Sequence, residues 1–108
     1  MQNIIGYSVI WDVKGKDMNT KNKVLHKLFG YKHTVKGKIY YHNGLLTTWK
    51  GEKLLSKVKH QREAPSSVWI PSHYEDYVQA IKGICYSLGV SVRVYEVRKN
   101  DYFESKHF

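Results

Sequence analysis

Residues 68–98, VWIPSHYEDYVQAIKGICYSLGVSVRVYEVR, decide the fold because they hold three successive elements with clear periodicity. The apolar run 68–70 stops at Pro71 and predicts a short buried strand. Apolar residues then recur at helical spacing until Gly89 and predict an amphipathic helix. These residues are Tyr74, Tyr77, Val78, Ile81, Ile84, Cys85 and Leu88. Valines alternate with polar residues over 90–98, which predicts a final strand.

Both predicted helices carry start signals. Ser72 followed three residues later by Glu75 fits a capping box at the start of the C-terminal helix. A shorter helix is predicted over residues 20–29, with Asn19 or Thr20 as its N-cap. Its lysines, three in number, are expected to lie away from its apolar stripe and to face solvent or a partner.

The rest of the N-terminal two thirds reads mainly as strands. Residues 4–13, IIGYSVIWDV, alternate between apolar and small or polar residues and predict a strand with one buried face. Lys-Gly at 36–37 and Asn-Gly at 43–44 predict tight turns within a meander of two or three strands. Apolar residues at helical spacing predict a further short helix over 51–60.

This order of elements predicts an α+β protein. The expected architecture is a two-layer sandwich, ferredoxin-like βαββαβ, with residues 45–65 as an elaborated central segment. The chain of 108 residues is predicted to form a single α+β domain over residues 1–98, followed by a C-terminal tail over residues 99–108. Apolar residues make up 42% of the chain, which excludes the composition typical of disorder.

The chain is basic, and its charge is unevenly distributed. Residues 14–62 contain thirteen basic and two acidic residues, a local charge of +11, whereas the chain as a whole carries +9. Clustered lysines bind nucleic acid because neutralised phosphates release counterions. Lysines outnumber arginines fifteen to three, and lysine meets phosphate as a point charge while arginine reads guanine edges. The sequence therefore predicts a nucleic-acid-binding protein that contacts the phosphate backbone, largely without sequence preference.

The predicted binding residues are lysines of this segment and two aromatic residues able to stack on unpaired bases. They are Lys14, Lys16, Lys21, Lys23, Lys27, Lys32, Lys36, Lys38, Tyr40, Trp49, Lys50, Lys53 and Lys57. The expected partner is DNA or RNA, and the sequence does not decide between them. A homodimer would lengthen the binding surface. Packing in the core is the competing explanation for each aromatic residue.

The carboxylate of Asp12 suggests a first alternative function. Asp12 closes the first predicted strand, and carboxylates at strand ends can hold Mg²⁺ beside a phosphodiester. This layout resembles, over about the first 30 residues, a family of small ferredoxin-like proteins with an acid at that position. The resemblance implies a metal-dependent nuclease using Asp12. A turn-forming or exposed aspartate explains the same residue.

The histidines suggest a second alternative function. The chain has six of them, without the spacing of a metal site, so no metal or other cofactor is expected. His33 and His42 would face each other across the predicted hairpin, where they could act as the acid–base pair of a metal-independent ribonuclease. No other catalytic motif is present, so catalysis is not the expected function. A basic protein–protein interaction module is the third alternative.

The sequence also bears on location. Cys85 is the only cysteine, so no intramolecular disulfide forms, and a reduced, cytoplasmic location is expected. The start of the chain lacks the pattern of a signal peptide, and no segment is apolar enough to span a membrane. Cys85 lies on the apolar stripe of the C-terminal helix, where we expect it to be buried and unreactive.

Overall fold

The computed structural model describes residues 3–100, and these form eight strands and two α-helices. In chain order the elements are β1 (Asn3–Asp12), α1 (Met18–Phe29), β2 (Tyr31–Val35), β3 (Lys38–His42), β4 (Thr47–Lys50), β5 (Lys53–Ser56), β6 (Gln61–Ala64), β7 (Ser67–Pro71), α2 (Glu75–Ser87) and β8 (Ser91–Asn100). The predicted strand–helix–strand unit at the C-terminal end is confirmed as β7, α2 and β8.

The largest sheet is antiparallel and has the strand order β6-β7-β1-β8. Alternation along β1 turns Val9 and Trp11 toward the helices, as the pattern over residues 4–13 predicts. Both helices pack on this face, where Leu28 of α1 and Ile81 of α2 are fully buried. The sheet and helices thus share one apolar core, and the hairpins lie outside it.

The predicted fold class is wrong. The eight strands form three separate sheets, so the protein is not a two-layer ferredoxin-like βαββαβ sandwich. Strands β2 and β3 form one two-stranded sheet, and β4 and β5 form another. Neither hairpin pairs with the main sheet, and most of the hairpin side chains face solvent.

Two errors over the central segment account for this difference. Residues 51–60 form no helix, because Gly51 (φ +62°) begins a two-residue turn that pairs Lys50 with Lys53 in β4–β5. Leu54 and Leu55 therefore lie on opposite faces of β5, and both are exposed. Asn43-Gly44 does not form a hairpin turn, because β3 pairs only with β2. The tight turn predicted at Lys36-Gly37 is confirmed, with positive φ at both residues.

The helix starts also differ from the predictions. Asp17 is the N-cap of α1, and its carboxylate accepts a hydrogen bond from the Thr20 backbone N–H at 2.7 Å. That hydrogen bond holds the pKa of Asp17 below its usual value. Ser72 forms no capping box, because residues 72–74 make a 3₁₀ turn before α2 begins.

Cys85 is buried in the core, as predicted. Burial raises the pKa of its thiol to about 11, so the thiol stays protonated near neutral pH. Within residues 3–100, neither helix has the length and apolar character required for a membrane span. Lys99 and Asn100 belong to β8, and the remainder of the predicted tail, residues 101–108, lies outside the described residues.

The face of the main sheet opposite the helices has a different character. Ser8 donates a hydrogen bond to Glu63 at 2.7 Å, and Glu63 forms an ion pair with Lys99 at 2.9 Å. Trp69 is fully buried beneath them, because Gly6 has no side chain to occupy the space of the indole ring. Tyr95 of β8 is exposed on this face. The face thus combines acidic, basic and aromatic groups.

Candidate nucleic-acid interface

Five aromatic rings form a continuous stack on one face of the β2–β3 hairpin and the end of α1. The register of the hairpin sets Tyr31 opposite His42 and His33 opposite Tyr40. Ring centroids are 4.4 Å apart in the first pair and 5.4 Å apart in the second. His33 and His42 are 4.9 Å apart and connect the two pairs. Together with His26, these residues are called the ring stack.

The fifth ring comes from α1. Gly30 alone separates α1 from β2, and its positive φ of +71° lets the chain reverse there. The reversal brings His26 onto Tyr31, with a centroid distance of 4.2 Å and an interplanar angle of 20°. His33, Tyr40 and His26 are exposed, and the other two rings are half-buried. The inner rings have neighbours on both faces, so the ring faces open to a ligand lie at the two ends, on His26 and Tyr40.

Two histidines of the ring stack also meet through their nitrogens. Nε2 of His42 lies 3.1 Å from Nδ1 of His33, within hydrogen-bond reach. One of the two nitrogens donates and the other accepts, so the contact couples the tautomers of the two rings. The structure thus brings together the pair that the hairpin pattern suggested.

Lysines border the ring stack at both ends. Lys23 and Lys27, one turn apart on α1, line a cavity of about 300 Å³ together with His26, Tyr31, His42 and Asn43. At the other end, Nζ of Lys38 lies 5.6 Å from the centroid of the Tyr40 ring, a cation–π contact. Three of the predicted lysines and Tyr40 are therefore assembled around one aromatic surface.

A second cavity lies on the other side of α1. It has a volume of about 470 Å³, and its lining includes Asp12, Lys14, Lys21 and Arg93. Lys21 is half-buried there and does not line the cavity that contains Lys23 and Lys27. The Asp12 carboxylate accepts a hydrogen bond from the Lys14 backbone at 3.0 Å. Three cations beside one carboxylate favour binding of an anion over binding of Mg²⁺ at this position.

Both N–H groups of Trp49 make hydrogen bonds within the protein. Its indole N–H donates to the backbone oxygen of His42 at 3.2 Å, and its backbone N–H donates to Asn43 Oδ1 at 2.8 Å. The indole also packs against Tyr41, with ring centroids 5.0 Å apart. Trp49 therefore fastens β4 to the end of β3 and is not part of the ring stack.

The remaining predicted lysines are exposed but dispersed. Lys32 lies opposite Tyr41, on the hairpin face turned away from the ring stack. Lys50 and Lys53 face each other at the tip of β4–β5. Lys16 follows β1 in a turn, Lys36 lies in the β2–β3 turn, and Lys57 follows β5. These residues extend the basic surface but are not part of the ring stack.

His60 has a structural role. His60 lies against Phe29, with ring centroids 5.8 Å apart, and its Nδ1 is 2.7 Å from the backbone oxygen of Val58. Burial lowers the pKa of His60, which keeps the ring neutral near neutral pH. Within residues 3–100, no three histidine, cysteine or acidic side chains form a group suited to a metal ion.

No family model, curated protein or solved structure matches this chain. The function therefore has to be inferred from the chemistry of the ring stack and its lysines. Sequence reasoning named Tyr40, Lys23, Lys27 and Lys38, and it paired His33 with His42. It missed His26 as a member of the site, and the only signal for that residue was the single glycine between helix and strand.

Proposed function

We propose that the protein binds single-stranded nucleic acid at the ring stack, with little sequence preference. Unpaired bases stack on the exposed rings, and the phosphates between them contact Lys23, Lys27 and Lys38. The dispersed lysines of residues 14–62 add long-range attraction. The partner is DNA or RNA, and the proposed location is the cytoplasm, consistent with the single, buried cysteine.

One observation carries this proposal: aromatic rings are stacked on the protein surface and bordered by lysines. Cross-strand aromatic pairs do stabilise a hairpin, by about 0.2–1 kcal/mol each. That stabilisation does not require lysines at both ends, and it leaves Tyr40 43% exposed. Base–aromatic stacking contributes about 1–3 kcal/mol per base and tolerates any base, which fits a site without arginine. A dimer of the chain would double the length of this surface.

An interaction with an acidic protein is the second candidate, favoured by apolar residues at the hairpins. Val35 and Ile39 of β2–β3 are 46% and 45% exposed, and Leu54 and Leu55 of β5 are 44% and 41% exposed. Exposed apolar side chains among lysines suit a partner that is both acidic and apolar. Retention on immobilised single-stranded DNA at about 0.15 M salt separates the candidates, because only the first predicts it.

Salt dependence of binding tests the proposed mechanism. Each phosphate neutralised on a single strand contributes about −0.7 to the slope of log affinity against log salt. Three lysines therefore predict a slope near −2, and an affinity for oligothymidine about 20-fold lower at about 200 mM than at about 50 mM salt. Fluorescence anisotropy of a labelled oligonucleotide measures this. A change of less than about twofold would show that phosphate contacts do not drive binding.

A further inference from the structure

The cavity between α1 and the β2–β3 hairpin contains acid–base groups that binding of nucleic acid does not require. It is lined by two imidazoles, two lysines, a tyrosine and an asparagine, and its volume of about 300 Å³ admits a phosphate with part of a ribose. We propose that this cavity cleaves RNA by metal-independent transphosphorylation, with His42 as general base and His26 as general acid. The inference rests on the proposed binding of nucleic acid at the ring stack.

The two imidazoles are placed to act on opposite sides of one phosphate. His26 and His42 each stack on Tyr31, at 4.2 and 4.4 Å between centroids. Two rings at such distances cannot share one face of a phenol ring, so Tyr31 lies between them. A phosphate at the edge of Tyr31 then has one imidazole on either side. General acid–base catalysis of phosphodiester cleavage needs this separation of the two proton-transfer groups.

The surroundings assign the two roles. When Nε2 of His42 donates to Nδ1 of His33, the Nδ1 of His42 carries the free lone pair of a base. His33 thus acts as a positioning residue, by holding the tautomer of His42. His26, in the last turn of α1 and on the other side of Tyr31, is then the general acid.

The reaction balances without a further reactant. His42 removes the proton from the 2′-OH, and the 2′ oxygen forms a bond to the adjacent phosphorus. The bond from phosphorus to the 5′ oxygen of the next nucleotide breaks, and His26 donates its proton to that oxygen. The products are a 2′,3′-cyclic phosphate and a free 5′-OH. Lys23 and Lys27 contact the non-bridging oxygens, where negative charge accumulates in the transition state.

A pair of matched oligonucleotides tests the inference and separates it from binding. With purified protein and EDTA, labelled oligouridine is expected to yield fragments that end in a 2′,3′-cyclic phosphate. Oligodeoxyuridine of the same length is expected to be bound and left intact, since it lacks the attacking 2′-OH. His26→Ala and His42→Ala are each expected to lower kcat by about 100-fold or more at saturating RNA, where a loss of affinity from the missing ring does not affect the rate. His73→Ala, an exposed histidine before α2, is expected to cleave as the parent does.

His33 has its own test. His33→Ala is expected to lower kcat, and His33→Asn, whose Oδ1 can accept the same hydrogen bond, is expected to recover most of that loss. Both variants lack the His33 ring, so any rise in KM should be shared by the two. Thermal unfolding of each variant checks that it is folded. Bound RNA that stays intact, or cleavage that survives both His26→Ala and His42→Ala in folded protein, would overturn the inference and leave the binding function standing. Failure to bind either strand would overturn both.

Discussion

Lys23→Glu combined with Lys27→Glu is expected to lower the affinity for single-stranded DNA by about 25-fold or more. The two side chains line the cavity beside the ring stack, so both lose their phosphate contacts. At about 0.1 M salt each such contact is worth about fivefold on a single strand, and reversal of charge adds repulsion. The slope of log affinity against log salt should become shallower by about 1.4 for the two contacts.

The chain offers a control with the same change in net charge. Lys50 and Lys53 are exposed and face each other at the tip of β4–β5, and neither lines the cavity beside the ring stack. Lys50→Glu combined with Lys53→Glu alters long-range attraction equally but removes no contact at the ring stack. Fluorescence anisotropy should therefore give a much smaller loss for this pair. Equal losses for the two pairs would mean that binding depends on total charge and not on the ring stack.

Gly44→Ala is expected to destabilise the folded state by about 3 kcal/mol, the upper end of the range for overpacking. A Cβ atom at this position would lie 2.4 Å from the backbone nitrogen of Gly30 and 2.5 Å from the backbone oxygen of Leu28. Backbone atoms cannot rotate away as the end of a side chain can. The segment after β3 and the end of α1 would have to separate.

Thermal unfolding measures this effect. A loss of about 3 kcal/mol corresponds to a Tm roughly 12–24 °C lower for a domain of this size. Gly83→Ala is the matched control, because a Cβ there meets nothing within 4 Å and alanine favours the helical conformation of α2. We expect Gly83→Ala to leave Tm unchanged or to raise it. A Tm for Gly44→Ala within a few degrees of the parent would contradict the close packing of α1 against this segment.

Sequence patterns correctly predicted the elements whose side chains pack in the core. The alternation in β1 and β8 and the stripe of α2 are repeated over ten or more residues, and burial enforces each repeat. The segment 51–60 failed because Leu54, Leu55 and Val58 satisfy helical spacing by coincidence. Only Val58 is buried, and the glycine turn at Gly51 decides the local structure. Two short hairpins in place of a helix also made the predicted fold class wrong.

The candidate site was only partly predictable for a related reason. Charge is a property of composition, so the lysine-rich segment was visible without a structure. In the structure, some of these lysines lie at the ring stack, some lie beside Asp12 and the others are dispersed. This division depends on which face of α1 packs on the sheet. The ring stack depends on the register of β2–β3 and on the docking of His26, and neither is encoded in local periodicity.

The most direct test of the central claim compares two tyrosines of similar exposure. Tyr40 ends the ring stack and is 43% exposed, whereas Tyr95 lies on the helix-free face of the main sheet and is 49% exposed. If bases stack on the ring stack, Tyr40→Ala should lower the affinity for oligothymidine by roughly 5- to 150-fold, the equivalent of about 1–3 kcal/mol. Tyr95→Ala should lower it by less than about twofold. Equal affinities for Tyr40→Ala and the parent, or a larger loss for Tyr95→Ala, would contradict binding at the ring stack.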